Sequence, residues 1–238
     1  LWDAQVAAFK GHYTVLTLDW LGFGQSAQPA DHAYSFSDQV ALLTQVLAQV
    51  APAPTPITLL AHDIGGPPAI LWAAAQPHRV RQLILLNTIL YPFSTPLEKF
   101  SQVLFHTPFL NRLLMSRFGL AQIITNNTRS RDGAYRQRLQ TVLDHHAHWD
   151  YRVRVQTITQ PVHGGKPREL PTLAQTLAEL LVPKQLLVAQ GDPLCYAYMR
   201  RFVEAHPAVP VQYLDRCGHY MPLDRPQALN AMLEEVVL

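Results

Sequence analysis

The stretch Ile57-Thr58-Leu59-Leu60-Ala61-His62-Asp63-Ile64-Gly65-Gly66-Pro67-Pro68-Ala69-Ile70 decides the fold. Its first four residues form a short apolar run, as expected of a strand buried on both faces. Gly65, Gly66 and Pro67 then supply a turn and a helix start, because proline is tolerated in a first helical turn. Asp63 stands at the apex, flanked at two-residue spacing by Ala61 and Gly65. A tight turn leaves no room for larger neighbours, and the nearby helix N-terminus favours an ionised carboxylate. Aspartate also caps helices and fills turns, so the rest of the chain has to decide between a turn residue and a reactive one.

Outside this stretch, composition narrows the classes. A chain of 238 residues, 48% hydrophobic, fits one large α/β domain or a core with an insertion. A formal charge of +2 gives no reason to expect nucleic acid as a partner. Cys195 and Cys217 do not make a disulfide framework, which favours a reducing, cytoplasmic setting. No apolar run reaches transmembrane length. The chain starts at Leu1, so a targeting segment ahead of it stays open.

In chain order, residues 1–10 look like the end of an amphipathic helix, and Tyr13–Leu18 has the β-branched, apolar character of a strand. The loop Asp19-Trp20-Leu21-Gly22-Phe23-Gly24-Gln25-Ser26 follows. Its G-x-G spacing is incomplete for a phosphate cradle and no lysine follows, which disfavours nucleotide binding. Ser37-Asp38 opens a helix to Val50 with Val40, Leu43, Val46 and Leu47 on one face. Gln82–Leu86 is a further buried strand, ending at Asn87-Thr88. From about Tyr91 to Leu181 strand signals vanish; the segment reads as helical, broken by prolines and glycines, with cations outnumbering acids. Alternation then returns: strand Gln185–Ala189, helix Tyr196–Ala205, strand Val211–Leu214, and a last helix from Pro226 to Val237. Strands alternating with helices predict a mostly parallel sheet covered on both faces.

Asp63, Asp192 and His219 then stand in loops after strands, the edge where open α/β sheets place ligands. Nucleophile, acid, histidine is also the chain order of α/β-hydrolases. On these residues the chain resembles the α/β-hydrolase superfamily, in the aspartate-nucleophile branch of epoxide hydrolases and haloalkane dehalogenases. His62-Asp63-Ile64-Gly65-Gly66 resembles that branch's H-D-x-G-G elbow, and Asp19 to Ser26 its D-x-x-G-x-G-x-S loop. Val188 to Leu194 resembles the acid-bearing strand end, with Ala189 where glycine is usual, and Gly218-His219 the histidine loop. The match covers 1–92 and 183–238, which implies an α/β-hydrolase core, with 93–182 where the family carries a helical cap.

The resemblance implies that Asp63 attacks an electrophilic carbon to form an alkyl-enzyme ester, and that His219, oriented by Asp192, activates the water that cleaves it. Aspartate suits substitution at carbon and suits ordinary ester hydrolysis badly, since acyl attack would give an anhydride. An epoxide is expected ahead of an alkyl halide, with a non-catalytic ligand-binding member as the alternative from another class. Dehalogenases carry tryptophan after the nucleophile to hold the halide. Ile64 offers only its backbone N–H to such an anion site. Epoxide hydrolases use cap tyrosines to protonate the opening oxygen. Tyr135 and Tyr151 lie in the cap region, where Trp149-Asp150-Tyr151-Arg152 resembles the segment holding one of them, and a buried structural tyrosine is an equal reading of either. Asp215 is the nearest rival to Asp192, and His62 reads as a packing residue beneath the elbow. The run His145-His146-Ala147-His148 lacks a recognised ligand set, so no metal and no cofactor are expected. A small-molecule substrate is the expected partner, with no nucleic acid or membrane. Finally, the family's third strand, with its histidine-glycine loop, precedes the residues that match Leu1-Trp2. Its absence predicts a fragment of a longer protein, with a gap in the sheet and poor expression or activity of the chain alone.

Overall fold

The computed structural model describes residues 1–92, 103, 107–129, 132–145, 153, 156–157 and 169–237. Its framework is a four-stranded parallel sheet in the order β1 (Ile57–Asp63), β2 (Val80–Thr88), β3 (Lys184–Ala189), β4 (Val211–Leu214). Parallel neighbours need crossover connections, and helices supply them. Along β2, Leu83 and Leu85 face one core while Ile84 and Leu86 face the other, all essentially unexposed. Along β3, Leu186 and Val188 alternate in the same way with Leu187 and Ala189. The central runs of these two strands, Leu83–Leu86 and Leu186–Ala189, are apolar because both their faces are covered.

On one face the sheet is covered by α2 (Phe36–Val50), α3 (Gly66–Ala75), α7 (Leu170–Glu179) and α8 (Tyr196–Ala205), through Phe36, Leu43, Leu47, Ile70, Trp72, Leu173, Leu177 and Phe202. On the other it is covered by α1 (Asp3–Phe9) and α10 (Pro226–Val237), through Leu229 and Leu233. Between them in the chain lie α4 (Pro108–Leu114), α5 (Arg117–Asn126), α6 (Tyr135–His145) and the single turn α9 (Met221–Asp224). Met115, Leu120, Ile124, Tyr135, Val142 and Leu143 form a separate small cluster with Leu223. The segment expected to be helical therefore contributes differently along its length. Its middle packs as this cluster, while α7 joins the main core through Leu170, Leu173 and Leu177.

Two expectations need correction. Helix α2 begins one residue earlier than Ser37, because Ser35 is its cap: the Ser35 hydroxyl accepts from the Asp38 N–H and the Asp38 carboxylate accepts from the Ser35 N–H. Its inner face is Phe36, Gln39, Leu43 and Leu47, leaving Val46 exposed. The second correction is Tyr13–Leu18, which is not a strand. Strand propensity describes a side chain that fits a pleated, half-buried surface, and without a neighbour no ladder forms. Among the described residues β1 is an edge of the sheet, its residues only half-buried from Ile57 to Leu60. Leu16 and Leu18 remain exposed at 50% and 41%.

Backbone protection should follow this arrangement. Amides of Leu83–Leu86 and Leu186–Val188 are expected to exchange only by global unfolding, and those of Val15–Leu18 at near-intrinsic rates. Hydrogen exchange read by mass spectrometry or NMR checks this; equal protection of the two sets would restore residues 13–18 to a sheet.

Candidate active site

β1 ends on Asp63, whose φ of +49° lies in the left-handed region that non-glycine residues seldom occupy. The strain is held in place from the side. Thr88, at the end of neighbouring β2, donates its hydroxyl to the Asp63 carbonyl at 2.6 Å. Gly66 lets this happen, since a Cβ there would overlap the Thr88 side chain. The result is a carboxylate lifted off the sheet edge with 36% of its side chain exposed, accepting a hydrogen bond from the Ile64 N–H. Ile64 lines a small recess with Trp20, Phe23, Phe36, Gln39, Pro68 and Thr157. The glycine loop beside it is closed by its own acid. Gln25 N–H donates to the Asp19 carboxylate at 3.0 Å, and Gly24 (φ +51°) leaves room for that carboxylate. A carboxylate in this position is the opposite of a phosphate cradle.

Asp192 and His219 are brought to Asp63 by the next two strand ends. Asp192 is held by four donors. Its Oδ1 accepts from the Leu194 and Cys195 N–H groups at 2.7 and 3.2 Å, and its Oδ2 from Asn87 Nδ2 at 2.7 Å and His219 Nδ1 at 2.9 Å. Asn87 also exchanges hydrogen bonds with the Ala189 backbone, so the end of β2 is tied to the end of β3 where Asp192 emerges. With Nδ1 donating to a carboxylate, Nε2 of His219 is the nitrogen left facing Asp63 Oδ2, at 3.7 Å. The Cys195 thiol lies 3.5 Å from the other oxygen, Asp63 Oδ1.

The histidine loop is clamped by residues far away in sequence. His219 N–H donates to the Asn127 carbonyl at 2.7 Å, and the Gly218 N–H to buried Asp224 at 2.6 Å. Asp224 also accepts from the Arg129 N–H, while Arg129 Nε reaches the Gly191 carbonyl. A Cβ on Gly218 would overlap the Asn127 carbonyl, so only glycine permits this approach. His62 donates from Nε2 to the His219 carbonyl at 2.8 Å, its ring 4.6 Å from the His219 ring.

Burial would raise the pKa of Asp63. The charge and hydrogen bond of His219, with the nearby His62 and the Ile64 N–H, outweigh it and hold the carboxyl well below its usual range. For Asp192, burial is likewise outweighed by the His219 bond and charge and by Asn87 and Leu194, giving a lowered value. His219 is the mirror case. Burial lowers it, but Asp63, the Asp192 bond and Cys195 carry it well above the ordinary imidazole value. His62 is pushed down to about 4, first by burial and then by the His219 charge. Burial and the Asp63 charge push the Cys195 thiol up, so it stands protonated.

Of the residues singled out in the sequence, Asp63, Asp192, His219 and Ile64 come together, and His62 packs beneath them. Asp215 is exposed and away from this network. Tyr135 is buried in the small helical cluster with its hydroxyl 3.0 Å from Thr128 Oγ1, a packing position. Tyr151 lies outside the described residues, as do His146 and His148, and His145 bonds the Thr141 carbonyl of its own helix. Asn87, Cys195, Asp224 and Trp20 were not singled out. A polar Asn87 closing an apolar strand and a cysteine three residues after Asp192 were the available signals.

A profile of the alpha/beta hydrolase family matches residues 1–232, and the chain belongs to that family. Among curated proteins it is 30% identical over 106 residues to a cis-3-alkyl-4-alkyloxetan-2-one decarboxylase of Xanthomonas campestris, covering 42% of this chain and 34% of that protein. It is 32% identical over 87 residues to epoxide hydrolase 4 of Mus musculus, covering 36% and 24%. The aligned stretches thus span only about a quarter to a third of these relatives. Among solved structures, a bromoperoxidase from Bacillus anthracis superposes with a TM-score of 0.79 at 17% identity, covering 99% of this chain and 86% of that one, a likeness of fold. No helix of the described residues is long and apolar enough to cross a membrane.

Asn87 is the support of this site. Asn87→Ala removes a donor from buried Asp192 and leaves the Ala189 N–H unpaired, so it should cost about 2–4 kcal/mol in urea unfolding. Stability should also peak near neutral pH. His219, raised, contributes stability that is complete below about 6.5 and is lost as pH climbs through its folded value. Asp63 and Asp192, lowered, contribute stability present above about 4 and lost as pH falls through their folded values. Between about 6.5 and about 4 the unfolded chain protonates His62 while the folded chain refuses, so acidification costs stability there. His62→Gln should flatten that limb in unfolding midpoints measured across pH; an unchanged limb would assign it to another group.

Proposed function

We propose that this family member is a hydrolase that opens a strained oxygen-containing ring, an epoxide first, by attack of Asp63 on an sp³ carbon. The observation that carries the reading is the placement of a histidine, backed by Asp192 at 2.9 Å, against a carboxylate at 3.7 Å. A carboxylate is nucleophilic without losing a proton, so a base poised beside it serves a later step. In the first step an Asp63 oxygen bonds to the ring carbon and the C–O bond breaks. The freed oxygen takes a proton from a donor on the opposite side, a part the resemblance gives to Tyr151. Esterification removes the Asp63 charge, which is the first favourable influence on the raised His219 value. His219 then releases its proton and becomes a base. It takes a proton from water as the water oxygen adds to the Asp63 ester carbon. Collapse frees the diol and restores the carboxylate, with one oxygen drawn from water.

The basis for preferring an epoxide to a halide is that Ile64 has no side-chain donor for a departing anion. The residues around Ile64 in that recess, Trp20, Phe23, Phe36 and Pro68, are apolar, which favours an apolar substituent. A second reading has its own support in the decarboxylase relative: a β-lactone offers the same strained ring carbon bonded to oxygen. Opened there by Asp63, it would leave a free carboxylate beside the new ester bond. As the C–CO₂ bond breaks, its electron pair forms the alkene and expels the Asp63 carboxylate, so CO₂ departs and no water is consumed. The two unpaired buried cysteines suit the proposed cytoplasmic setting.

His219→Gln should accumulate an alkyl ester on Asp63 with epoxides, seen as a mass increment of one substrate on the peptide containing residue 63. Wild type turned over in ¹⁸O-water should label the Asp63 carboxylate. Alkene and CO₂ from a dialkyl β-lactone, with no label, would favour the second reading. No adduct with either substrate class, together with retained binding, would sink both and leave a ligand-binding protein.

A further inference from the structure

Cys195 has no part in that chemistry, yet it lies in the middle of it. Its Sγ is 3.5 Å from Asp63 Oδ1, His219 Nε2 is 3.7 Å from Asp63 Oδ2, and the thiol sulfur, imidazole nitrogen and carboxylate oxygen all lie within 4.8 Å of one another. Among the described residues these three form the one cluster of histidine, cysteine and acid groups close enough to share an ion. We propose that Asp63, Cys195 and His219 form a binding site for a thiophilic divalent cation of the zinc type, and that the cation, by occupying it, switches the site off.

Zinc bonds of about 2.3 Å to sulfur and about 2.0–2.2 Å to nitrogen and oxygen set tetrahedral edges of about 3.6 Å between sulfur and oxygen and about 3.4 Å between nitrogen and oxygen. The sulfur is 3.5 Å from one Asp63 oxygen and the imidazole nitrogen 3.7 Å from the other. A rotation of the Asp63 carboxyl and a small inward shift therefore bring one oxygen, the sulfur and the nitrogen, all now within 4.8 Å of one another, onto these edges. The donor set also suits zinc. A thiolate and an imidazole favour it over magnesium or calcium, which take oxygen ligands. His219 is already fixed by its Nδ1–H on Asp192, the carboxylate–histidine arrangement that orients metal-bound imidazoles. Three protein ligands leave a fourth position for water on the side where Asp63 is exposed.

Binding balances simply. The cation bonds Asp63 as it stands, His219 as the neutral ring after its Nε2 proton leaves, and Cys195 after its S–H proton leaves, so up to two protons pass to solvent. Coordination draws electron density from the Asp63 carboxylate and fills the space in front of it, so it is a poorer nucleophile. His219, coordinated through Nε2 with Nδ1 protonated, has no lone pair for water. The inhibition rests on the proposed catalytic roles. The binding does not.

Cobalt(II) replaces zinc as the probe, because a thiolate ligand gives a sulfur-to-cobalt charge-transfer band and a tetrahedral site gives intense d–d bands. The protein, freed of metal by a chelator, should show both bands at one equivalent of cobalt, and zinc should displace them. Cys195→Ser, nearly isosteric, should lose the charge-transfer band and bind zinc at least tenfold more weakly by competition with a chromogenic chelator; Cys195→Ala should do the same. Zinc should inhibit wild-type turnover reversibly and both variants at least tenfold less. A charge-transfer band with no Asp63 adduct in the trapping experiment would keep the metal site and discard the hydrolase reading. Absence of the band in a protein that forms the adduct, or equal zinc affinity in wild type and Cys195→Ser, would overturn the site.

Discussion

The buried contact between Asp192 and His219 is the constraint around which this molecule is arranged. A carboxylate and an imidazole 2.9 Å apart, almost without solvent, are costly to desolvate. They persist because every remaining acceptor of Asp192 is supplied, by Asn87, Leu194 and Cys195. Those donors come from the ends of two strands and the start of α8. Sheet register therefore sets site geometry directly, since β2 must pair with β3 as Leu86 with Leu187 for Asn87 to reach both Ala189 and Asp192.

The same logic governs Asp63. Its backbone conformation is unfavourable for any side-chain-bearing residue, at a cost of about 1–2 kcal/mol. The Thr88 hydroxyl and the absence of a side chain at Gly66 impose it from the neighbouring strand and helix. The Asp63 carboxylate is thus held up from the neighbouring strand and helix while staying partly exposed. Ionisation is reinforced by the assembly: each of the three charges lies where another favours it against the cost of burial.

Much of this is legible in the chain because it is local. The apolar runs at Leu83–Leu86 and Leu186–Ala189 specify doubly covered strands, and Gly65-Gly66-Pro67 specifies the turn that displays Asp63. Chain order alone then brings Asp192 and His219 to the same sheet edge. Pairing is where local signals fail. Tyr13–Leu18 has the residues of a strand, but a ladder belongs to two strands and composition describes only one. Asn87 and Asp224 escape for a related reason, since Asn87 meets Asp192 across 105 positions and Asp224 meets Arg129 across 95. Tyr135 shows the ambiguity of an amphipathic ring, which fits a pocket or a small core equally well until its hydroxyl finds Thr128.

The clamp between Asn127–Arg129 and the two loops at Gly191 and Gly218 has a mechanical meaning. A helical segment sewn to the sheet beside its histidine cannot rise from that side as a free lid without breaking the bonds that orient His219. Any breathing motion that admits or releases a molecule has to pivot about this seam. The recess bordered by Trp20, Phe23 and Thr157 lies outside this seam, since none of its lining residues takes part in those bonds, and its walls can move while His219 keeps its orientation.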